Sequence, residues 1–149
     1  MTEPFPHVYA ASADARPAGE VAVNSPGLAT IAAGPAAQFG GSGVHWSPET
    51  LLPAAIANCF VLTFRAVSAA ALFGWLQLEC RVEGVVDRVE RRPCFARFHI
   101  LAILTIAPGA DAAKARRLLA KADRDCLIAN SLAGAREFRS QVLAESSRR

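Results

Sequence analysis

The chain has 149 residues, 16 basic and 13 acidic side chains, a net charge of +3 and 52% hydrophobic residues. That length suits one domain, residues 1–149, able to bury a core without a disulfide framework. The charge is too small and too dispersed for a nucleic-acid partner, and Arg91-Arg92 and the terminal Arg148-Arg149 read as solvated ends.

The first ten residues hold Glu3, two prolines and His7 but no apolar run. No secretory leader is expected, and a cytoplasmic protein is the default. In a reducing compartment the four cysteines are expected to be free, catalytic or metal-bound rather than structurally paired.

The N-terminal segment predicts short strands at His7 to Ala13, Gly19 to Asn24 and Leu28 to Ala33. Turn-like segments separate them, Asp14-Ala15-Arg16-Pro17-Ala18 and Ser25-Pro26-Gly27. The Gly-rich loop Phe39-Gly40-Gly41-Ser42-Gly43 lacks the Lys-Ser/Thr ending of a phosphate loop. Ser47-Pro48-Glu49 then starts a helix: Ser47 can cap, Pro48 suits the first helical position and Glu49 lies favourably in the first turn. The helix is predicted to run to about Leu72, with Gly74 as its stop. It is apolar nearly all round, which predicts burial on most faces. Asn58 and Arg65 interrupt it, so a buried soluble helix is expected rather than a membrane span.

Leu76 to Val89 predicts a long strand, with Leu76, Leu78, Cys80 and Val82 alternating against Gln77, Glu79, Arg81 and Glu83. Arg91-Arg92-Pro93 reads as a turn and Phe95 to Ile106 as a second long strand, ended by Pro108-Gly109. Asp111 to about Asp123 predicts an amphipathic helix, Cys126 to Leu132 a helical turn or two, and Phe138 to Leu143 a last strand. The fold class is α+β: a long buried central helix flanked by antiparallel sheets.

Free cysteine often behaves as a small buried hydrophobe, so Cys59 inside the apolar helix is open to a structural or a chemical reading. For Cys126, a helix N-terminus and Arg124 would lower the thiol pKa, while Asp123 and Asp125 would raise it. Cys80 faces the apolar side of its strand. A hairpin centred near Arg92 would pair it with residues around Leu104, well away from Cys94. The cysteines, His7, His45 and His99 do not fall at zinc-ligand spacing, so no metal is expected.

The segment from Phe39 to Phe60 contains the Gly-rich loop, Pro48-Glu49, Leu51-Leu52, small residues and Cys59-Phe60. It resembles the core motif of the OsmC/Ohr family, in which Pro-Glu precedes the first cysteine by the same ten-residue interval. Cys126, after two long strands and a helix, matches the family's second cysteine, and the order of elements matches over nearly the whole chain. The resemblance implies that Cys59 attacks an organic hydroperoxide and that Cys126 resolves the sulfenic acid as a disulfide. It implies that Glu49 orients an active-site arginine, matched in position by Arg16. It further implies a small apolar hydroperoxide as substrate, a dithiol or lipoyl-type reductant, no cofactor, and an intertwined homodimer built on the central helix. Two features depart from the family: Cys126-Leu127 replaces the usual Cys-Pro, and the common upstream histidine is absent.

A thiol must ionise to attack a peroxide, an ordinary cysteine titrates near ~8.5, and burial opposes ionisation. A guanidinium stays charged when desolvated and can hydrogen-bond the peroxide, and a buried guanidinium needs a carboxylate. Cys59, Arg16 and Glu49 make that minimal set. Taken alone, Glu49 is a first-turn helix charge and Arg16 a turn residue. Ten residues of helix rise about 15 Å, so Glu49 and Cys59 of one helix cannot touch. Either Arg16 spans the gap, or the charged pair comes from a second subunit whose helix runs antiparallel. Trp46 can wall a pocket, but core or interface packing is the simpler role. Three functions therefore stand: a two-cysteine hydroperoxide reductase, a protein of the same fold that binds a small ligand or senses oxidants, and a structural dimer with incidental thiols.

Overall fold

The computed structural model describes residues 3–146; Arg148-Arg149 lie outside the described residues. The chain forms two compact units, Met1–Leu51 and Leu52–Arg149.

The first unit holds a three-stranded antiparallel sheet, β1 (Ser12–Ala15), β2 (Val21–Asn24) and β3 (Ile31–Ala33), in that order. β1 begins later than the sequence suggests, because Asp14 and Ala15 pair with Ala22 and Val21 and the turn falls beyond them, with Gly19 at φ 96°. Ser25-Pro26-Gly27-Leu28 closes the second hairpin: Leu28 N–H donates to Ser25 O at 3.1 Å and Gly27 has φ 75°. That is the type II pattern, proline second and glycine third. The Gly-rich loop folds back on itself, with Gly41 N–H donating to Ala36 O at 3.0 Å. Ser47 then caps the helix reciprocally with Thr50. Thr50 N–H donates to Ser47 Oγ at 3.2 Å, and Ser47 N–H donates to Thr50 Oγ1 at 2.9 Å.

α1 runs over Pro48–Ala70. Its end differs from expectation. Phe73 N–H donates to Ser68 O and Leu72 N–H to Ala69 O, a Schellman closure with Leu72 in the left-handed position at φ 50°. A leucine does there what glycine usually does, and Gly74 lies two residues beyond it. Lys114 Nζ adds a bond to Ala71 O at 3.0 Å.

The second unit is built on β4 (Gln77–Val89), β5 (Arg92–Ile106) and β6 (Ala135–Ala144), in the order β4-β5-β6. β4 and β5 form a long antiparallel hairpin with a bulge at Val85/Val86. Its turn is Glu90-Arg91, both at positive φ, rather than Arg91-Arg92-Pro93. Pro93 is tolerated in β5 because β6 pairing begins only at Arg97, which leaves that end of β5 an edge. β6 lies parallel to β5, so this sheet is mixed and the expectation of antiparallel sheets is corrected. A parallel return needs a crossover. α2 (Ala112–Arg124), capped by Asp111, and α3 (Leu127–Asn130) supply it.

One face of this sheet presents Phe98, Ile100, Ala102, Leu104 and Ile106 from β5 in strict alternation. Against them pack Ile56, Phe60 and Phe64 of α1 and Ala115, Leu119 and Ala122 of α2. Ser68, also buried, accepts from Trp75 Nε1 at 2.9 Å. Ile56, Phe60, Phe64 and Ser68 recur every four residues and make one stripe. The opposite face, with Ala55, Asn58, Leu62, Ala66 and Ala69, is exposed. Thus α1 is not buried on most faces within one chain. Its all-round apolarity (mean hydropathy 1.6) is long enough to cross a membrane by length and composition, yet only one stripe is covered here.

Candidate functional site

Cys59 lies on α1 at the border of the buried stripe, next to Phe60, and is half-buried. Thr63, one turn on, donates its hydroxyl to Cys59 O at 2.8 Å and lies 4.0 Å from the Cys59 sulfur. Cys126 is fully buried at the corner between α2 and α3. Its sulfur lies 4.0 Å from Ile56 O on α1, and Cys59 packs against the core cluster that holds Cys126, near enough for its thiol to perturb that of Cys126. Two cysteines far apart in sequence therefore meet in one core, and both are free thiols.

Burial pushes the Cys126 thiol up to about 11. The Ala129 N–H and the Arg136 guanidinium act in the opposite direction, while the Cys59 thiol adds to the rise. Sequence left the sign at Cys126 undecided between helix terminus and flanking aspartates. Desolvation, which sequence does not show, decides it. Cys80 packs against the same core and is pushed up to about 12, first by burial, then by Cys126 and Asp123. Its strand partner is Ala102, among the residues expected around Leu104, at a register set by the Glu90-Arg91 turn together with the bulge at Val85/Val86. Cys94 is exposed and pairs with Asp87, so Cys80 and Cys94 do stay apart.

Glu49 and Arg16 both belong to the first unit. Glu49 Oε2 is buried and has no hydrogen-bond partner among the described residues. It borders a cavity of about 430 Å³ whose walls include Val21, Val23, Ala33, Phe39 and Leu51. Arg16 is exposed in the β1–β2 connection and borders a separate cleft with Asp14, Ala18 and Glu20. Within this unit the structure does not bring Arg16 onto the Glu49 oxygen. A buried carboxylate oxygen without a donor is costly. His45 Nε2 lies 3.2 Å from Glu20 Oε1. Trp46 is 51% exposed, so core packing within the chain is not its role.

Sequence reasoning missed the cavity walls and Arg136. Val21 and Val23 alternate on β2, a signal that was present. Arg136 carried none, since an arginine on a strand usually faces water. Among the described residues no three His, Cys, Asp or Glu side chains gather as a metal-binding group.

These observations define a class first: an α+β protein whose long helix seats one thiol against a second on the crossover of a mixed sheet. A family model described as OsmC-like protein matches residues 40–140, and the chain belongs to that family. The matched region includes Glu49, Cys59 and Cys126 but not Arg16. The fold is similar to that of an OsmC-like protein of unknown function from Vibrio cholerae: TM-score 0.83, 12% identity, 91% of this chain and 100% of that one. It is also similar to an organic hydroperoxide resistance protein from Legionella pneumophila, with TM-score 0.67, 22% identity and coverage of 94% and 99%. A third similar structure is an organic hydroperoxide resistance protein from Elizabethkingia anophelis, with TM-score 0.68, 20% identity and coverage of 96% and 100%. At these identities the likeness is one of fold. No curated protein matches the sequence.

Proposed function

We propose that this protein is a thiol-dependent peroxidase for small apolar organic hydroperoxides. The observation that carries the reading is the meeting of Cys59 and Cys126 in one core. The Cys59 thiolate attacks the outer peroxide oxygen, the O–O bond breaks, and the alcohol leaves with a proton. The Cys59 sulfenic acid then reacts with the Cys126 thiol, forming the S–S bond and releasing water. A dithiol or lipoyl-type reductant returns both thiols and is itself oxidised to a disulfide. Such recycling suits a reducing, cytoplasmic setting.

Arg16 and Glu49 keep the roles the family implies, a guanidinium that favours the Cys59 thiolate and a carboxylate that orients it. The unpartnered Glu49 oxygen supports this, because it has an acceptor to offer. The apolar walls beside it suit an alkyl substituent. We also propose a homodimer through the exposed face of α1 bearing Ala55, Leu62, Ala66 and Ala69, which a second copy would cover. Light scattering tests that: a monomer at micromolar concentration would sink it.

The deciding experiment is peptide mapping after treatment with an alkyl hydroperoxide. A Cys59–Cys126 disulfide is expected, with Cys80 and Cys94 left as thiols. A Cys80–Cys94 bridge, or none, would count against the reading. A second reading, ligand binding or oxidant sensing without efficient turnover, is favoured by one observation. The Cys126 thiol is pushed up to about 11, which opposes a fast resolving step at neutral pH.

A further inference from the structure

Cys126 sits at a sharp corner. α2 ends at Arg124 and α3 starts at Leu127, so only Asp125 and Cys126 lie between them. The corner's own bonds are local ones: Asp125 N–H donates to Lys121 O at 3.0 Å, Cys126 N–H to Asp123 O at 3.3 Å and Asn130 N–H to Cys126 O at 2.9 Å, and Lys121 Nζ donates to Asp125 Oδ2 at 2.7 Å. Leu127 is 63% exposed and does not anchor it.

Arg136, the second residue of β6, reaches both sides of this corner. Its Nε lies 3.4 Å from Asp123 Oδ1, and its Nη1 donates to Asn130 Oδ1 at 3.1 Å. Asn130 in turn donates from Nδ2 to Arg124 O at 2.8 Å. One guanidinium thus spans residues three before and four after Cys126. The bridge is partly shielded, with the Arg136 and Asp123 side chains 25% and 15% exposed. Asp123 Oδ1 is itself buried without a hydrogen-bond partner among the described residues, so the Arg136 ion pair is the contact that offsets its charge.

We propose that Arg136 is a positioning residue for the resolving step: its bridge from Asp123 to Asn130 holds the Cys126 sulfur toward Cys59 and keeps a positive charge beside it. This rests on the reading of Cys126 as the resolving thiol. In that step the Cys126 sulfur must lose its proton, form the S–S bond with Cys59 and expel the sulfenic oxygen as water. A fixed cation stabilises negative charge developing on the attacking sulfur at little reorganisation cost. The charged or titratable groups that bear on Cys126 and its corner are Cys59 from α1, Cys80 from β4, Asp123 and Arg124 from α2, Asp125 with Lys121 paired to it at 2.7 Å, and Arg136 from β6. Of the cations Arg136 is the one that acts on the Cys126 thiol itself, and it opposes the upward push of burial.

The test separates the two steps. Wild type, Arg136→Met, Arg136→Lys and Asn130→Ala are mixed with tert-butyl hydroperoxide. Sulfenic acid on Cys59 and the Cys59–Cys126 disulfide are followed separately by rapid trapping and mass spectrometry across pH. Arg136→Met should slow disulfide closure about tenfold or more, the scale of one charge-assisted contact, and shift its pH profile upward. Sulfenic acid formation should stay within about twofold of wild type, because Arg136 bears on Cys126 and only through it on Cys59. Arg136→Lys should recover the pH profile but only part of the rate, since an ammonium cannot fork to both partners. Asn130→Ala changes an exposed residue, cuts one arm, and should slow closure about threefold. If Arg136→Met fails to fold, the lysine and Asn130 variants carry the test. Closure at the wild-type rate with an unmoved pH profile in the folded variants overturns the proposal. A wild type that never joins Cys59 to Cys126 overturns the underlying reading instead.

Discussion

In residues 52–146, Phe60, Phe64, Leu104 and Leu119 are fully buried, and two thiols are held in the same packing. In residues 3–51 the buried hydrophobic residue is Ala33, the β1 residues are all exposed, and Glu49 keeps an unpartnered buried oxygen. The two units thus divide the proposed chemistry. The sulfur atoms sit where packing fixes them, whereas the charged groups sit where packing constrains little. A residue in the first unit should therefore matter for rate more than for stability, and a core residue in the second for stability first.

The largest effect expected is at the proposed nucleophile. Cys59→Ser should abolish hydroperoxide consumption, whereas Cys126→Ser should still allow one equivalent of sulfenic acid; stopped-flow kinetics with mass spectrometry reads both. Next comes the core. Phe60→Ala should cost about 3–5 kcal/mol in denaturant unfolding. Phe39→Ala, at a residue 61% exposed in the first unit, should stay within about 0.5 kcal/mol. Comparable losses at the two sites would erase the contrast.

Arg16→Ala should slow Cys59 oxidation by about one to two orders of magnitude, equivalent to roughly 1.5–3 kcal/mol, with unfolding nearly unchanged. Glu49→Gln should slow it less. A wild-type rate in Arg16→Ala would mean that Arg16 is only a turn residue, leaving Cys59 untouched as the nucleophile.

The buried thiols give a pH signature. Burial pushes Cys126 and Cys80 up to about 11 and about 12, so the folded protein keeps protons that the unfolded chain releases. Their contribution to stability is whole below about pH 9 and is lost as pH rises toward those values, at up to about 1.4 kcal/mol per pH unit per thiol. Cys80→Ala should flatten that alkaline decline in pH-dependent melts. Smallest, Leu72→Gly should stabilise by about 0.5–1 kcal/mol, since glycine takes the left-handed position without the Cβ clash. No gain in Tm would argue against the Schellman closure.

Local chemistry was legible in the sequence where a residue type forces one geometry. Ser47-Pro48-Glu49 marked the start of α1, Asp111 the start of α2, and the alternation through Cys80 marked β4 and its buried face. The pairing of β6 was not legible, because an alternating strand reads the same whether its neighbour runs parallel or antiparallel. The Glu90-Arg91 turn lacked the Asn-Gly or Asp-Gly signal that tight hairpins usually carry. All-round apolarity in α1 could not say whether its outer face is covered by its own chain. The Cys59–Cys126 pair was legible only through the family resemblance, since neither spacing nor flanking charge predicts that α3 tucks beneath α1. Arg136 was invisible because its bridge depends on a corner that exists only once the crossover is folded.

The two tryptophans fall one in each unit, and their surroundings differ. Trp75 packs edge-on against Phe64, with ring centroids 5.5 Å apart, and bonds Ser68 near the end of α1. Trp46 is half exposed just before the start of α1. The protein therefore carries two built-in optical reporters. Trp75 should emit at shorter wavelength and resist acrylamide quenching, while Trp46 should emit further to the red and quench readily. Selective phenylalanine replacement of either indole would let fluorescence follow loosening of the helix end and events around the Gly-rich loop as separate signals, including during a single turnover with peroxide.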